Sequence, residues 1–345
     1  MQNSGIETKI HPPRLVPSLV KGFNAVAGNI YIILIPTAID IFLWFGPMFR
    51  VRDLLLPALL RTLDISAAAV SQDALMLKET TQQLWTAILE GFNLLFGLRT
   101  YPIGVPSLMI SQGAQYSPLG SLAIFEMTSI NGTALFVLLV SAVGILLGSV
   151  YFSLISAVAD ESHVGSADES KSKIIVSDIQ RRALQSAWLS IILLVSIIAV
   201  SLPLMCVLSG LLLALPSLGM LPFTLFGMLM VWMLMPLAFS PHGIFTDQLK
   251  VTSSIVASIR MVRSLMSPSG LFLMIAIMLS YGLDILWSTP GAESWMMIVG
   301  IIGHAFIASG LLASSFVFYR DGMHWMGNRM KRPGNHPNNS EMVDN

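Results

Sequence analysis

Three ionisable residues lie within apolar runs long enough to cross a membrane: Asp40, Asp284 and His304. A charged carboxylate in the hydrocarbon costs about 2.5–3.5 kcal/mol on insertion scales, so each acid calls for compensation. Two carboxylates at one depth can share a proton or hold a cation between them, and a histidine deeper in the layer can relay a proton. The same residues also fit a structural role. Acids close to the headgroups are hydrated or pair with Arg50 or Arg52, and His304 can hydrogen-bond a neighbouring helix. Sequence leaves both alternatives open.

Other chemistry is sparse. No P-loop, dinucleotide fingerprint, zinc-protease helix motif or nucleophile elbow occurs, and the six histidines show no pair at metal-ligand spacing. The sequence therefore predicts no catalytic residue, no cofactor, no metal and no enzymatic activity. Met228, Met230, Met233 and Met235 divide between two faces of a helix, which favours packing over a copper path. The lone Cys206 lies in an apolar run and forms no intrachain disulfide. Asn131-Gly132-Thr133 matches a glycosylation triplet.

The elements that must position these residues are membrane helices. Hydrophobic residues make up 54% of the 345-residue chain and charged residues 11%, against about 25% charged in soluble domains. The zero net charge argues against nucleic acid as a partner. The expected fold class is all-α: a polytopic bundle of about six transmembrane helices with amphipathic interfacial helices. The spans fall at 24–46, 134–157, 187–215, 220–239, 270–287 and 294–319, within a single membrane domain 24–319. The first holds Pro36 one turn before Asp40, the second Gly144-xxx-Gly148, and the third is interrupted by Pro203 and Gly210.

Flanking segments complete the organisation. Residues 1–23 form a polar tail in which Pro12, Pro13 and Pro17 break any long helix. Residues 47–130 form a long region between spans, with an amphipathic stretch at 53–63 and a helical pattern at 72–96. Its Pro- and Gly-rich part, 99–121, reads as an irregular loop in which 101–110 could dip into the interface. Residues 158–186 read as a polar loop, and 320–345 as a disordered tail. Val251, Ile255, Ile259, Val262 and Met266 predict an interfacial helix whose basic residues suit anionic headgroups.

Charge then sets topology. With six spans, 14 of the 19 Lys and Arg fall on the side of the two termini and 5 on the side of 47–130. The positive-inside rule places both termini in the cytoplasm, 47–130 outside, and the protein in the plasma or inner membrane. Asp40 and Asp284 then share the outer third of the bilayer.

Two resemblances bear on function. Tyr281-Gly282-Leu283-Asp284 resembles the GxGD signature of intramembrane aspartyl proteases, but Tyr281 replaces the first glycine and Ile39, not tyrosine, precedes Asp40. The segment PLAFSPHGIFTDQLKVTSSIVASIRMVRS and the span after it, about 235–290, resemble bacterial membrane proteins related to the glycerophosphodiester phosphodiesterase membrane domain. That resemblance implies a helical bundle without the soluble hydrolase barrel. The expected function is a non-enzymatic structural, lipid-associated or accessory membrane component, with membrane lipids and other membrane subunits as partners. The alternative is a small transporter or channel using Asp40 and Asp284, with His304 deeper in the path.

Overall fold

The computed structural model describes residues 12–67, 72–113, 115–160, 169–215, 217 and 221–330. Residues 1–11, 68–71, 114, 161–168, 216, 218–220 and 331–345 lie outside the described residues. The fold is all-α apart from two pairs of very short strands. Among the described residues five helices are long and apolar enough to cross a membrane, six if one bent pair counts as a single span.

That bent pair replaces the straight first span expected at 24–46. Helix α1 (Leu15–Gly28) and the helical stretch Ile30–Phe45, whose α-helical part is α2 (Leu34–Phe45), meet at 88°. Gly28 and Asn29 end α1. The Asn29 side-chain amide donates to Ala25 O (2.9 Å), and the chain passes through a 3-10 turn before α2 begins. Pro36 falls in the first turn of α2, where its missing N–H leaves no helical bond unmade. The expected polar tail 1–23 is likewise corrected. Pro17 sits in the first turn of α1, so the helix starts at Leu15 rather than beyond the prolines.

Strand β1 (Met48–Arg50) leads to α3 (Arg52–Ala67) and α4 (Gln72–Gly91). A largely irregular stretch with the short helix α5 (Met109–Gln112) and the hairpin strands β2 (Tyr116–Ser117) and β3 (Gly120–Ser121) follows. Strand β4 (Ile124–Glu126) pairs in parallel with β1. Helix α6 (Ile130–Val158) is the second long apolar helix. Its N-cap is Ser129, which accepts from Gly132 N, so the Asn131 triplet forms the first turn.

Helix α7 (Glu169–Ala214) corrects two expectations. It already covers much of the expected loop 158–186, and it runs on through Pro203 and Gly210. Helix α8 (Leu221–Leu234) continues through a 3-10 turn into the buried helix α9 (Ser240–Phe245). The expected amphipathic helix is α10 (Val251–Ser264). Its packed side includes Ser254 and Ser258, which donate to the Ser240 and Pro236 carbonyls (2.5 and 2.7 Å), while Lys250, Arg260 and Arg263 stay exposed. Helix α11 (Met266–Trp287) and helix α12 (Met297–Met330) follow. The disordered tail expected from Arg320 is instead helical as far as Met330 on α12, and the rest of it lies outside the described residues.

Helix α12 is the centre of the core. Phe23 of α1 meets Phe306, the Ser314 hydroxyl donates to Leu19 O, and Leu15 packs near Phe318 and Met323. Helix α1 therefore runs antiparallel to α12, its first turn beside the C-terminal part of α12. Gly22 and Gly310 make this close approach possible, since a Cβ on Gly22 would collide with Ser314 and one on Gly310 with the Phe23 ring.

Candidate functional site

Asp40 is fully buried on α2, and among the described residues every hydrogen bond to its carboxylate comes from one place, residues 107–109. The Ser107 hydroxyl donates to Oδ1 (2.5 Å), Met109 N to Oδ1 (3.1 Å) and Leu108 N to Oδ2 (3.0 Å). Ser107 Oγ in turn accepts from Ile110 N (3.2 Å). The carboxylate thus satisfies amides that begin α5 and would otherwise be orphaned in an apolar interior. Charge-assisted bonds of this kind compensate the burial of an acid without any bound cation.

The loop that Asp40 holds is the least expected feature. Gly91 and Gly113 lie against each other, so residues 92–112 leave and return at one place. Between those ends the chain follows α6. A Cβ on Gly97 would lie 3.2 Å from Ser141 Oγ, one on Gly144 2.7 Å from the Gly97 and Leu98 carbonyls, and one on Gly148 2.9 Å from Gly104 Cα. The glycines of Gly144-xxx-Gly148 therefore admit an irregular backbone, not a second helix. Ile103, Val105 and Leu108 are buried around it. Asn93 fixes one end by accepting from Phe49 N (3.2 Å) and Leu95 N (3.1 Å). The Thr100 hydroxyl bonds Ile103 O across the tip, and Asp40 fixes the other end.

The second acid has a different partner. Asp284 Oδ1 meets His304 Nδ1 at 2.7 Å, joining α11 to α12. The Asp284 side chain is 36% exposed and that of His304 5%. His304 Nε2 is buried and has no hydrogen-bond partner among the described residues. No hydrogen bond joins the two acids. Nor do the nearby arginines serve them: Arg50 pairs with Glu126 (2.7 Å) and Arg52 with Glu90 (3.5 Å).

Sequence reasoning passed over two residues here. Ser107 gave no signal, being one serine in a Pro- and Gly-rich stretch. Arg99 was counted among the charges outside the bilayer, yet it lies on the loop between the residues that touch Gly144 and Gly148. The methionines of α8 do not converge, since Met228 and Met233 are exposed. No group of three or more His, Cys, Asp or Glu with metal-binding geometry occurs among the described residues. Comparison with protein-family models, curated proteins and solved structures returns no match, so function has to be argued from this geometry alone.

Proposed function

We propose that the chain is a non-enzymatic, lipid-associated integral membrane protein, a structural or accessory component in which Asp40 is an anchor and not a transport acid. The observation that supports this reading is the filled hydrogen bonding of Asp40, each oxygen of which is engaged by residues 107–109. A carboxylate that carries a proton or cation through a cycle needs acceptor capacity free for it. This one is occupied in holding a loop. By the distribution of Lys and Arg, the termini face the cytoplasm and 47–130 the outside of a plasma or inner membrane. The resemblance noted above for 235–290, where the amphipathic α10 precedes the long α11, is in keeping with this reading, and lipids and other membrane subunits remain the partners proposed.

A transporter is the second reading. It is favoured by His304, whose buried Nε2 has no hydrogen-bond partner among the described residues, beside a helix pair bent by 88°. Flux of protons and alkali cations into proteoliposomes, measured for wild type, Asp40→Asn and His304→Gln, separates the two. The anchor reading expects no flux above protein-free vesicles and a destabilised Asp40→Asn, by about 1–3 kcal/mol for the unpaired donors left behind. Flux that Asp40→Asn abolishes at unchanged thermal stability overturns it.

A further inference from the structure

Helix α10 joins two runs that are each apolar enough to cross a membrane. The five residues 246–250 separate it from the run Leu221–Phe245, and Leu265 alone separates it from α11. A helix tied this closely to two successive spans lies at the membrane face where both of them end. Its inner side is fixed to the protein. Ser254, Ser258, Met261 and Val262 are buried, and the Ser254 and Ser258 hydroxyls donate to the Ser240 and Pro236 carbonyls. Its outer side carries Thr252, Val256, Arg260 and Arg263, spaced by four, four and three residues and so aligned in one exposed stripe, with Lys250 at the N-cap.

The cations of this stripe are set apart by what they lack. Elsewhere the chain supplies its own counter-charge: Arg50 pairs with Glu126 (2.7 Å), Arg52 with Glu90 (3.5 Å), Arg181 with Asp178 (3.4 Å) and Arg320 with Asp160 (2.7 Å). Lys250, Arg260 and Arg263 are exposed and make no ion pair or side-chain hydrogen bond among the described residues. The sequence gives them no acid to meet nearby, since no Asp or Glu occurs between Asp247 and Asp284. Exposed apolar side chains stand among them, Val256 at 43% and Met266 at 51%. A helix face made for water mixes both signs of charge. Cations of one sign interleaved with apolar side chains suit the edge of an anionic lipid layer, where phosphates and acyl chains meet.

From this arrangement we propose that the outer side of α10 is a docking surface for the headgroups of anionic phospholipids. The Arg260 and Arg263 guanidinium groups and the Lys250 ammonium lie on the phosphates, and Val256 and Met266 lie against the adjoining chains. The surface deepens the lipid-associated reading and rests on it. It is separate from Asp40, whose hydrogen-bond donors lie at residues 107–109.

The test uses the full chain in nanodiscs of phosphatidylcholine and phosphatidylglycerol in equal amounts, reading the lipid retained on the protein by native mass spectrometry. Wild type is expected to retain phosphatidylglycerol over phosphatidylcholine by about tenfold, and the triple variant Lys250→Gln, Arg260→Gln, Arg263→Gln to retain the two equally. The double variant Arg260→Lys, Arg263→Lys keeps the charge and is expected to keep the preference. Arg52→Gln, which removes a cation already paired with Glu90, is expected to change nothing. Salt at about 1 M should weaken the preference of wild type, an arm that needs no variant and so stands if the triple variant fails to fold. No preference in wild type, an equal preference in the triple variant, or a preference indifferent to salt overturns the proposal. A chain that does not enter the nanodisc fails the membrane reading itself, whereas a chain held in the disc without lipid preference fails only the docking surface.

Discussion

The half of the molecule around α12 and the half made by α7 and α8 both carry helices apolar enough to cross a membrane, yet they pack very differently, and α7, the most apolar of them, is far less buried than α12. Over their most hydrophobic windows, α12 is 56% buried, α7 11% and the helical run 221–245 only 6%. Apolar content does not separate them, because lipid tails are as apolar as a neighbouring helix and leave little hydrophobic drive for association. Small and hydroxylated residues do. In the tight half their side chains reach across elements: Tyr151 Oη to Ser309 Oγ (2.8 Å) and Trp44 Nε1 to Ala292 O (2.7 Å). On α7 Ser186 accepts from Ser149 of α6 (3.2 Å), but farther along the hydroxyls turn inward on their own helix, Ser196 to Ile192 O and Ser209 to Met205 O. Those residues hold no neighbour.

The glycines give the sharpest way to break this contrast. Gly148→Leu drives a side chain into Gly104 and should cost about 3 kcal/mol or more, whereas Gly227→Leu on α8 has nothing within 4 Å of its new Cβ and should stay within about 0.5 kcal/mol. Thermal unfolding of the two variants in one detergent checks it, and equal losses would mean that α8 is packed after all. Hydroxyls test the same idea at smaller scale. Tyr151→Phe orphans the buried Ser309 bond at a cost of about 1 kcal/mol, while Ser209→Ala should be neutral.

The smallest expected effect lies at the membrane edge, beyond α9. Burial pushes the Asp247 carboxyl above the usual carboxylate range, with a Tyr319 hydrogen bond (3.1 Å) opposing it. The folded state thus holds that proton more tightly than the unfolded chain. The resulting stability is present below the unfolded carboxyl value of about 3.9 and is lost as pH rises through the higher folded value. Asp247→Asn should therefore raise the melting temperature near neutral pH by about 1 °C, a gain that vanishes on acidification. A gain that grows on acidification would reverse the sign.

Much of the fold was legible in the chain. Long apolar runs mark α6, α7, α8, α11 and α12, because a helix that satisfies its own backbone is the form such runs take in lipid. The amphipathic α10 was legible in its period. What misled was local context for proline and glycine. Pro36 and Pro17 read as breaks inside elements but stand in first turns, while Asn29, unremarkable in sequence, ends α1. For the candidate site, Asp40, Asp284 and His304 were visible as costly residues, but their partners were not. Ser107 lies 67 residues from Asp40, and Arg99 looked like one more external charge.

The sequence by itself determined that this is an all-α chain with several helices apolar enough to cross a membrane, and which residues within them need a partner. Those properties follow from composition averaged over a turn or a span. Tertiary structure alone decided that an irregular loop follows α6 to Gly148, that Asp40 pins it and that Asp284 belongs to His304. An irregular segment has no periodicity to report its depth, and a hydrogen bond between distant residues leaves no pattern in either one. Only the packed bundle, with two glycines open to backbone, selects among the places that loop could go.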